Sequence, residues 1–385
     1  MKNYAILIFF SIVSIIYFFV NYYVVSRGAK ALGVSFFTPY YKWIYWILAF
    51  SFIIGQILER GEPTLIARIV THIGSVWLAV FLYLLLFTIA VDFLNLLNNW
   101  LKIIDKPLSS VLTNGQMIFI AGWMFALSIA GAGWLNARYP TLKHVDIVVN
   151  KKVPGRDELT VVLGTDLHIG AMIGKKRIHE MVQKINSQSP DIVLFAGDLV
   201  DHNPRFVKAA NIGPEFLSIQ APLGVFAVAG NHEFIGHAET SIEYLQQFGI
   251  TYIRDTSVFV ENTLTIIGRD DRERRQFDGV SRKSLDSVVH ITYPELPVIL
   301  MDHQPVEYAQ VADYPVDLMV SGHTHKGQLW PFGYITSLIY ENDFGLMQKG
   351  STWFYTSSGY GTWGPPIRTG NRPELVVFHI RFQEK

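Results

Sequence analysis

Residues 159–168 read Leu-Thr-Val-Val-Leu-Gly-Thr-Asp-Leu-His, a run of apolar and β-branched residues that ends in two polar side chains, Asp166 and His168. Such a run, closed by Gly164, predicts a buried β-strand. In open α/β sheets, ligands bind beyond the carboxyl ends of the strands. The stretch therefore predicts one strand of an α/β fold and the first part of a site at its end.

Four further strands are predicted to end in the same way. Each is an apolar run followed by Asp, Asn or His, and three times the first of these polar residues comes directly after a glycine. Because such turns meet at one edge of a sheet, we expect their side chains to converge. Run 192–195 is followed by Asp198 and Asp201, and run 225–228 is followed by Asn231 and His232. Run 298–301 is followed by Asp302 and His303, and run 318–320 is followed by His323 and His325.

Helical and strand patterns alternate through the rest of this region. Ile178, Met181, Val182 and Ile185 have the i, i+3, i+4, i+7 spacing of one buried helix face. Further short β-branched runs complete the pattern of an α/β fold. They occupy residues 145–149, 264–267 and 375–380.

The chemistry of the polar set indicates metal binding. It offers two carboxylates, one amide oxygen and four imidazoles, and the chain contains no cysteine. Such a mixed oxygen and nitrogen set suits Mn²⁺, Fe or Zn²⁺ better than Ca²⁺ or Mg²⁺. Seven ligands exceed the needs of one catalytic ion, so we expect two divalent metal ions about 3.5–4 Å apart. The predicted metal ligands are Asp166, His168, Asp198, Asn231, His303, His323 and His325.

The first third of the chain has a different composition. Its four apolar stretches, about 4–25, 40–58, 73–97 and 117–135, are each close to the ~20 residues that a membrane-spanning helix needs. We therefore predict a transmembrane region with about four helices over residues 1–138, a soluble domain over 139–385, and a multi-pass protein of the cell membrane. The loops on the two sides carry equal numbers of Lys and Arg, so the positive-inside rule assigns no side to the soluble domain.

Over about residues 157–382 the sequence resembles the calcineurin-like metallophosphoesterase superfamily. The ordered blocks D-x-H, G-D, G-N-H-E, H and G-H-x-H carry the resemblance. The tail, residues 357–368 followed by Arg372-Pro-Glu-Leu, is similar to the bacterial membrane-anchored branch. The resemblance implies two packed β-sheets flanked by helices, with the metals at the sheet edge.

The resemblance also implies a role for each residue. One metal would be held by Asp166, His168 and His325, the other by Asn231, His303 and His323, with Asp198 bridging them. His232 would be the catalytic histidine that binds no metal. Asp201 would orient it, although a loop-capping role for Asp201 is an open alternative. In this mechanism a hydroxide bridging the metals would attack phosphorus, and His232 would protonate or hydrogen-bond the leaving oxygen.

The expected function is that of a metal-dependent phosphoester hydrolase. Its substrate would be a phosphorylated small molecule or a lipid-linked or membrane-associated phosphoester or pyrophosphate. Zero net charge and the absence of a basic stripe argue against nucleic acid as a partner. The alternatives are a membrane sensor or scaffold that binds metal without turnover and, within the class, a protein phosphatase or a nuclease. The aromatic stretch 353–366 is expected either to border an acyl-chain site or to pack in the core.

Overall fold

The computed structural model describes residues 2–102, 114–202, 204–289 and 295–383, without the side chains of residues 2–7, 9 and 10. The chain divides into two units. One comprises Met1–Leu58 and Ile69–Gly133, and the other comprises Glu59–Arg68 and Trp134–Lys385.

Four long helices form the N-terminal part of the described chain. Large apolar side chains such as Phe19, Trp43 and Ile47 are exposed on their outer faces. A helix that is apolar on its outside is suited to lipid rather than to water. All four are long and apolar enough to cross a membrane, which confirms the expected four-helix region. They are α1 (Lys2–Leu32), α2 (Phe37–Glu59), α3 (Leu65–Leu101) and α4 (Gly115–Arg138).

Within this unit the polar side chains pair with one another. Asp92 on α3 accepts a hydrogen bond from Tyr23 on α1 at 2.5 Å and forms an ion pair with Arg27 at 2.8 Å. The hydroxyl of Tyr45 donates to Asn21 at 3.1 Å. Pairing of this kind lowers the cost of keeping polar groups between apolar helices.

The second unit alternates strands with short helices. Its strands are β1 (Thr141–Val149), β2 (Glu158–Gly164), β3 (Ile192–Ala196), β4 (Val225–Val228), β5 (Ile250–Tyr252), β6 (Thr256–Val260), β7 (Leu264–Gly268), β8 (Val298–Met301), β9 (Leu318–Ser321), β10 (Gly345–Lys349), β11 (Thr352–Thr356) and β12 (Glu374–Phe382). Its helices are α5 (Lys175–Asn186), α6 (Pro204–Ala209), α7 (Asn231–Ile235), α8 (Ala238–Gln246), α9 (Arg274–Phe277), α10 (Leu285–Val289), α11 (Tyr308–Ala312) and α12 (Gly333–Ile339), with 3₁₀ turns at Gly213–Ser218 and His325–Gly327.

The strands form two six-stranded mixed sheets. The first has the order β1-β12-β2-β3-β4-β5, and the second has the order β10-β11-β9-β8-β7-β6. Strands β2, β3 and β4 are parallel neighbours in the first sheet, as β8 and β9 are in the second. The polar loops therefore leave each sheet at one edge.

Alternating side chains pack the two sheets together. On β3, Ile192 and Leu194 enter a core cluster that also contains Ile299 of β8 and Leu318 of β9. The intervening Val193 belongs to a second cluster that includes the buried face of α5. Because strand side chains alternate with a period of two, each central strand contributes to both layers. This packing brings the loop-bearing edges of the two sheets together.

The expected fold class is confirmed: two mixed sheets flanked by helices follow the apolar helices. All eight predicted strand runs lie within strands, and the predicted helix face on α5 is buried. The sequence reading did not predict the short strands β5, β6, β10 and β11. Three of them lie at sheet edges, and β11 falls within the stretch that was interpreted only as aromatic.

Candidate active site

Five loops bring all the predicted site residues together. Those after β2, β3 and β4 come from the first sheet, and those after β8 and β9 come from the second. All of these side chains are buried except His323, which is partly exposed. The convergence expected from the strand ends is therefore present in the structure.

A first group of donor atoms lies where the loop after β2 meets the loop after β9. The Nε2 atoms of His168 and His325 are 3.0 Å apart. The Oδ1 atom of Asp166 lies 3.5 Å from Nε2 of His325. These three side chains place their donor atoms within 4.8 Å of one another, close enough to share one ion.

A second group surrounds Asn231. Its Oδ1 atom lies 3.2 Å from Nε2 of His303 and 3.1 Å from Nδ1 of His323. Asp198 lies between the two groups, with Oδ2 3.2 Å from Nε2 of His303 and 3.8 Å from Nε2 of His168. A carboxylate in this position can reach an ion in either group.

Five of the seven predicted ligands have left-handed backbone conformations. The φ angles lie between 47° and 69° at Asp166, His168, Asp198, His323 and His325. Non-glycine residues rarely adopt such angles, and they cluster at functional sites because the surrounding structure must hold them there. The strain supports a functional role for these loops beyond linking strands.

Three of the predicted ligands have the protonation state that metal binding needs, and three do not. Burial alone would lower the pKa of His168 and His303, but the nearby carboxylates raise both, and burial raises the pKa of Asp166, so these three would release protons on binding a cation.

The pKa values of the other three are shifted the opposite way. Burial, and then the charge of His303, lowers the pKa of His323 to about 3, and burial holds the pKa of His325 well below its usual range. Burial alone would raise the pKa of Asp198, but the imidazoles, His303 first, hold it well below its usual range. The ligands of a metal must be neutral imidazoles and ionised carboxylates.

The lone pairs of the candidate ligands also point toward one buried space. The Nδ1 atom of His303 lies 2.9 Å from the carbonyl oxygen of Ala196, to which it can donate, so that Nε2 faces the cluster as an acceptor. Electron-rich oxygen and nitrogen atoms thus converge in a buried space, at a cost that a cation would offset. The residues present therefore fit divalent metal binding.

His232 lies beside the cluster in a separate arrangement. Its backbone amide donates to Oδ1 of Asp198 at 2.9 Å, and its Nδ1 atom lies 2.8 Å from Oδ1 of Asp201. Asp201 also lies 2.8 Å from Nδ1 of His202. The carboxylate of Asp201 thus contacts two imidazoles and fixes the ring of His232.

Two supporting residues were not assigned a role from the sequence. Glu233 is fully buried and accepts hydrogen bonds from the amides of Asp198, Val200 and Gly230, so it ties two ligand loops together. Burial, and then the charge of Asp198, raises the pKa of Glu233 to about 7. Its place in the G-N-H-E block, directly after His232, was the available signal.

Arg368 is the second such residue. It is fully buried, its Nη2 atom lies 3.1 Å from Nδ1 of His325, and it donates to the carbonyl oxygens of Gly359 and Gly361. The C-terminal tail is thereby fastened to the first group of donor atoms. The tail motif that ends at Arg368 was the signal in the sequence, but nothing there indicated contact with His325.

A cavity of about 380 Å³ opens beside the cluster. Asp198, Asn231, His232 and His323 line one part of it, and the apolar side chains of Phe332 and Trp363 line another. Of the aromatic stretch, Trp363 borders the cavity, whereas Tyr355 and Tyr360 are buried. Packing in the core is therefore confirmed for Tyr355 and Tyr360, while an acyl-chain site beside Trp363 stays a prediction.

Comparison with known proteins gives a consistent picture. Residues 159–327 match the sequence model of the calcineurin-like phosphoesterase family. The chain is 32% identical over 238 residues to an uncharacterized metallophosphoesterase of Aquifex aeolicus, a match that covers 61% of this chain and 89% of that protein.

Two further relatives resemble the chain beyond this region. An uncharacterized metallophosphoesterase of Campylobacter jejuni is 28% identical over 391 residues, a match that covers 97% of this chain and 98% of the relative. A bovine transmembrane protein with metallophosphoesterase domain is 28% identical over 268 residues, a match that covers 66% of this chain and 60% of the bovine protein. Together with the two-sheet fold and the clustered Asp, Asn and His side chains, these matches establish that the chain belongs to the calcineurin-like metallophosphoesterase family.

Proposed function

We propose that the protein is a binuclear-metal phosphoester hydrolase of a cell membrane, with a multi-pass region over residues 1–138 and a catalytic domain over 139–385. The observation that carries the proposal is the convergence of seven ligand-type side chains beside His232 and a cavity. Asp166, His168 and His325 would hold one ion, and Asn231, His303 and His323 would hold the other. Asp198 would bridge them. When bound, two divalent ions such as Mn²⁺, Fe or Zn²⁺ supply an activated water and neutralise phosphate oxygens.

The residues of the chain then divide the remaining work. His232 lines the cavity. Its Nδ1–H donates to Asp201, so that in the imidazolium form of the ring the Nε2–H is left to give a proton to the leaving oxygen. Asp201 is a positioning residue, because it holds the ring and does not itself line the cavity. The apolar side chains of Phe332 and Trp363 form another part of the cavity wall.

The substrate that we propose is a lipid-linked or membrane-associated phosphoester or pyrophosphate. Four helices able to cross a bilayer support this choice. The mixed lining of the cavity, polar at the metal ligands and apolar at Phe332 and Trp363, supports it further. Lipid mass spectrometry of cells that lack the protein should show which phosphorylated lipid accumulates.

The direct test is hydrolysis by the purified full-length protein in detergent. After reconstitution with Mn²⁺, Zn²⁺ or Fe²⁺, it should hydrolyse bis-p-nitrophenyl phosphate or p-nitrophenyl phosphate, and EDTA should abolish the activity. The His232→Gln variant should retain its metal and lose activity by roughly 10²–10⁴-fold, as expected for a lost general acid. Metal binding without turnover of soluble or lipid esters would favour a sensor or scaffold instead.

A further inference from the structure

The segment from Trp330 to Ile339 has its apolar side chains on the outside. No residue of α12 is buried, and Leu338 is 86% exposed. No charged residue occurs from Gly327 to Tyr340. A surface helix of a soluble protein normally directs charged and polar side chains toward water. The exposed apolar side chains, called here the apolar segment, are Trp330, Phe332, Tyr334, Ile335, Leu338 and Ile339.

Polar contacts hold the apolar segment in place. The amide of Trp330 donates to Oγ1 of Thr369 at 2.9 Å, and the hydroxyl of Thr336 donates to Oδ2 of Asp343 at 2.7 Å. The fixed side of the helix is therefore its polar side. The apolar side chains of the helix point away from the domain. Contact of these side chains with water is unfavourable, and only an apolar environment would remove that cost.

The apolar segment is continuous with the candidate active site. Phe332 and Thr336 line the cavity that also contains His232 and the metal ligands His323 and His325. Whatever covers the apolar segment therefore lies beside the opening through which a phosphoester must enter.

We propose that the apolar segment inserts into the surface of the lipid bilayer, beside the mouth of the active-site cavity. A protruding helix offers no walls that could enclose a single acyl chain, whereas a bilayer surrounds inserted side chains with hydrocarbon. Trp and Tyr are favoured at the boundary between lipid and water, as Trp330 and Tyr334 would be. Four helices of the same chain are long and apolar enough to cross a membrane, so a bilayer is the apolar environment to which this domain would be tethered.

Insertion of the apolar segment would let a lipid phosphoester reach the cavity without leaving the bilayer. This consequence rests on the proposed function. Lipid substrates would then be hydrolysed with the help of the apolar segment, while soluble esters would not need it. The docking itself can be measured without any turnover.

The cysteine-free chain allows a direct test. The full-length Leu338→Cys variant, labelled with the fluorophore NBD, is reconstituted into phosphatidylcholine and phosphatidylglycerol vesicles that contain a lipid-attached doxyl quencher. The matched control is Leu217→Cys, because Leu217 is a leucine 62% exposed on the 3₁₀ turn Gly213–Ser218. We expect blue-shifted emission and strong quenching at position 338 and neither at position 217. Equal quenching at the two positions would overturn the proposal.

Other occupants of the segment give different results. If a second copy of the chain covers the segment, the NBD emission at position 338 should shift to the blue as the protein-to-lipid ratio rises, without quenching by the doxyl lipid. A segment that awaits a protein partner would remain unquenched in vesicles containing only this protein. Either result would overturn bilayer docking.

Hydrolysis provides the second arm. The Ile335→Ser/Leu338→Ser/Ile339→Ser variant should lose about tenfold or more of its turnover on phosphatidic acid or CDP-diacylglycerol in vesicles, because remote binding no longer presents the ester. Its turnover of bis-p-nitrophenyl phosphate should be unchanged, and Leu217→Ser should affect neither substrate. Equal losses on lipid and soluble esters would contradict the role in presentation. If the unmodified protein hydrolyses none of these esters, the proposed function fails, while the quenching result still decides the docking.

Discussion

The Nδ1 atom of His232 lies 2.8 Å from the Oδ1 atom of Asp201. A carboxylate in contact with one ring nitrogen fixes the tautomer and the orientation of an imidazole, so the other nitrogen is presented to the cavity. The same oxygen of Asp201 lies 2.8 Å from Nδ1 of His202, which makes Asp201 a shared acceptor. This geometry favours orientation of His232 over loop capping alone.

Replacement of Asp201 by Asn should slow turnover by roughly 10- to 100-fold, the usual cost of losing a group that orients an active residue. The loss should be larger for alkyl phosphoesters than for p-nitrophenyl esters, because p-nitrophenolate leaves with little help from a proton donor. Measurement of kcat and KM on both ester types checks this. KM and metal content should remain near those of the unmodified protein.

The His202→Gln variant is the matched control, since it removes a second imidazole that lies 2.8 Å from Asp201. It should change turnover by less than about threefold, because Asp201 keeps its contact with His232. An equal slowing of both ester types in Asp201→Asn would indicate a structural role for Asp201 instead of an orienting one.

The metal content provides a separate test. The full-length protein, reconstituted with Mn²⁺ and then separated from unbound metal, should contain two ions per chain. Seven ligands are more than one metal ion needs. The Asp198→Ala variant should contain one ion or fewer, because Asp198 lies between both groups of ligands. Plasma mass spectrometry measures both. A single ion in the unmodified protein would remove the binuclear assignment.

The central part of the fold and the convergence of the candidate ligands could be predicted because each depends on a local pattern. A buried parallel strand is an apolar run, and the two or three residues that follow it lie at the sheet edge whatever the rest of the chain does. The loops at Asp166, Asp198, Asn231, His303 and His323 all follow this rule.

Residues that act across long separations in sequence could not be predicted in this way. Glu233 accepts from the amides of Asp198 and Val200, which are 33 to 35 residues away. Arg368 reaches His325 across 43 residues. Edge strands such as β10 alternate between partly exposed and exposed positions, so they lack the apolar run that marks a central strand.

Arg368→Lys should destabilise the domain and loosen its first group of donor atoms. Lysine keeps the charge but lacks the planar fork that contacts Gly359, Gly361 and His325. Loss of charged, buried hydrogen bonds should cost about 2–3 kcal/mol. The melting temperature should then fall by roughly 5–10 °C. Thermal unfolding in detergent with excess Mn²⁺ measures the change.

The exposed arginine Arg372 gives the control for this substitution. Arg372 lies four residues after Arg368 in the same tail. Because substitutions at the surface usually have small effects on stability, Arg372→Lys should shift the melting temperature by less than about 2 °C. Similar shifts in the two variants would contradict a special role for Arg368.

Lys151 and Asp317 form a partly buried ion pair that includes none of the predicted metal ligands. Nζ of Lys151 lies 2.6 Å from Oδ2 of Asp317, which also accepts from the amide of Val298 at 2.7 Å. Burial raises the pKa of Asp317, while Lys151 and the Val298 amide oppose the rise. Without Lys151, the pKa of Asp317 in the folded state should rise further.

Lys151→Met should therefore destabilise the domain more at pH 8 than at pH 4. When the pKa of a carboxyl is higher in the folded than in the unfolded state, the folded state binds more protons between the two values. Stability then falls as the pH rises through that range, by about 1.4 kcal/mol for each unit of difference. Urea unfolding of the unmodified and variant proteins at both pH values measures this. Arg381→Met, which breaks the exposed pair with Asp146, should show no such pH dependence. An equal loss of stability at both pH values in Lys151→Met would mean that the lysine contributes through packing and not through the charge of Asp317.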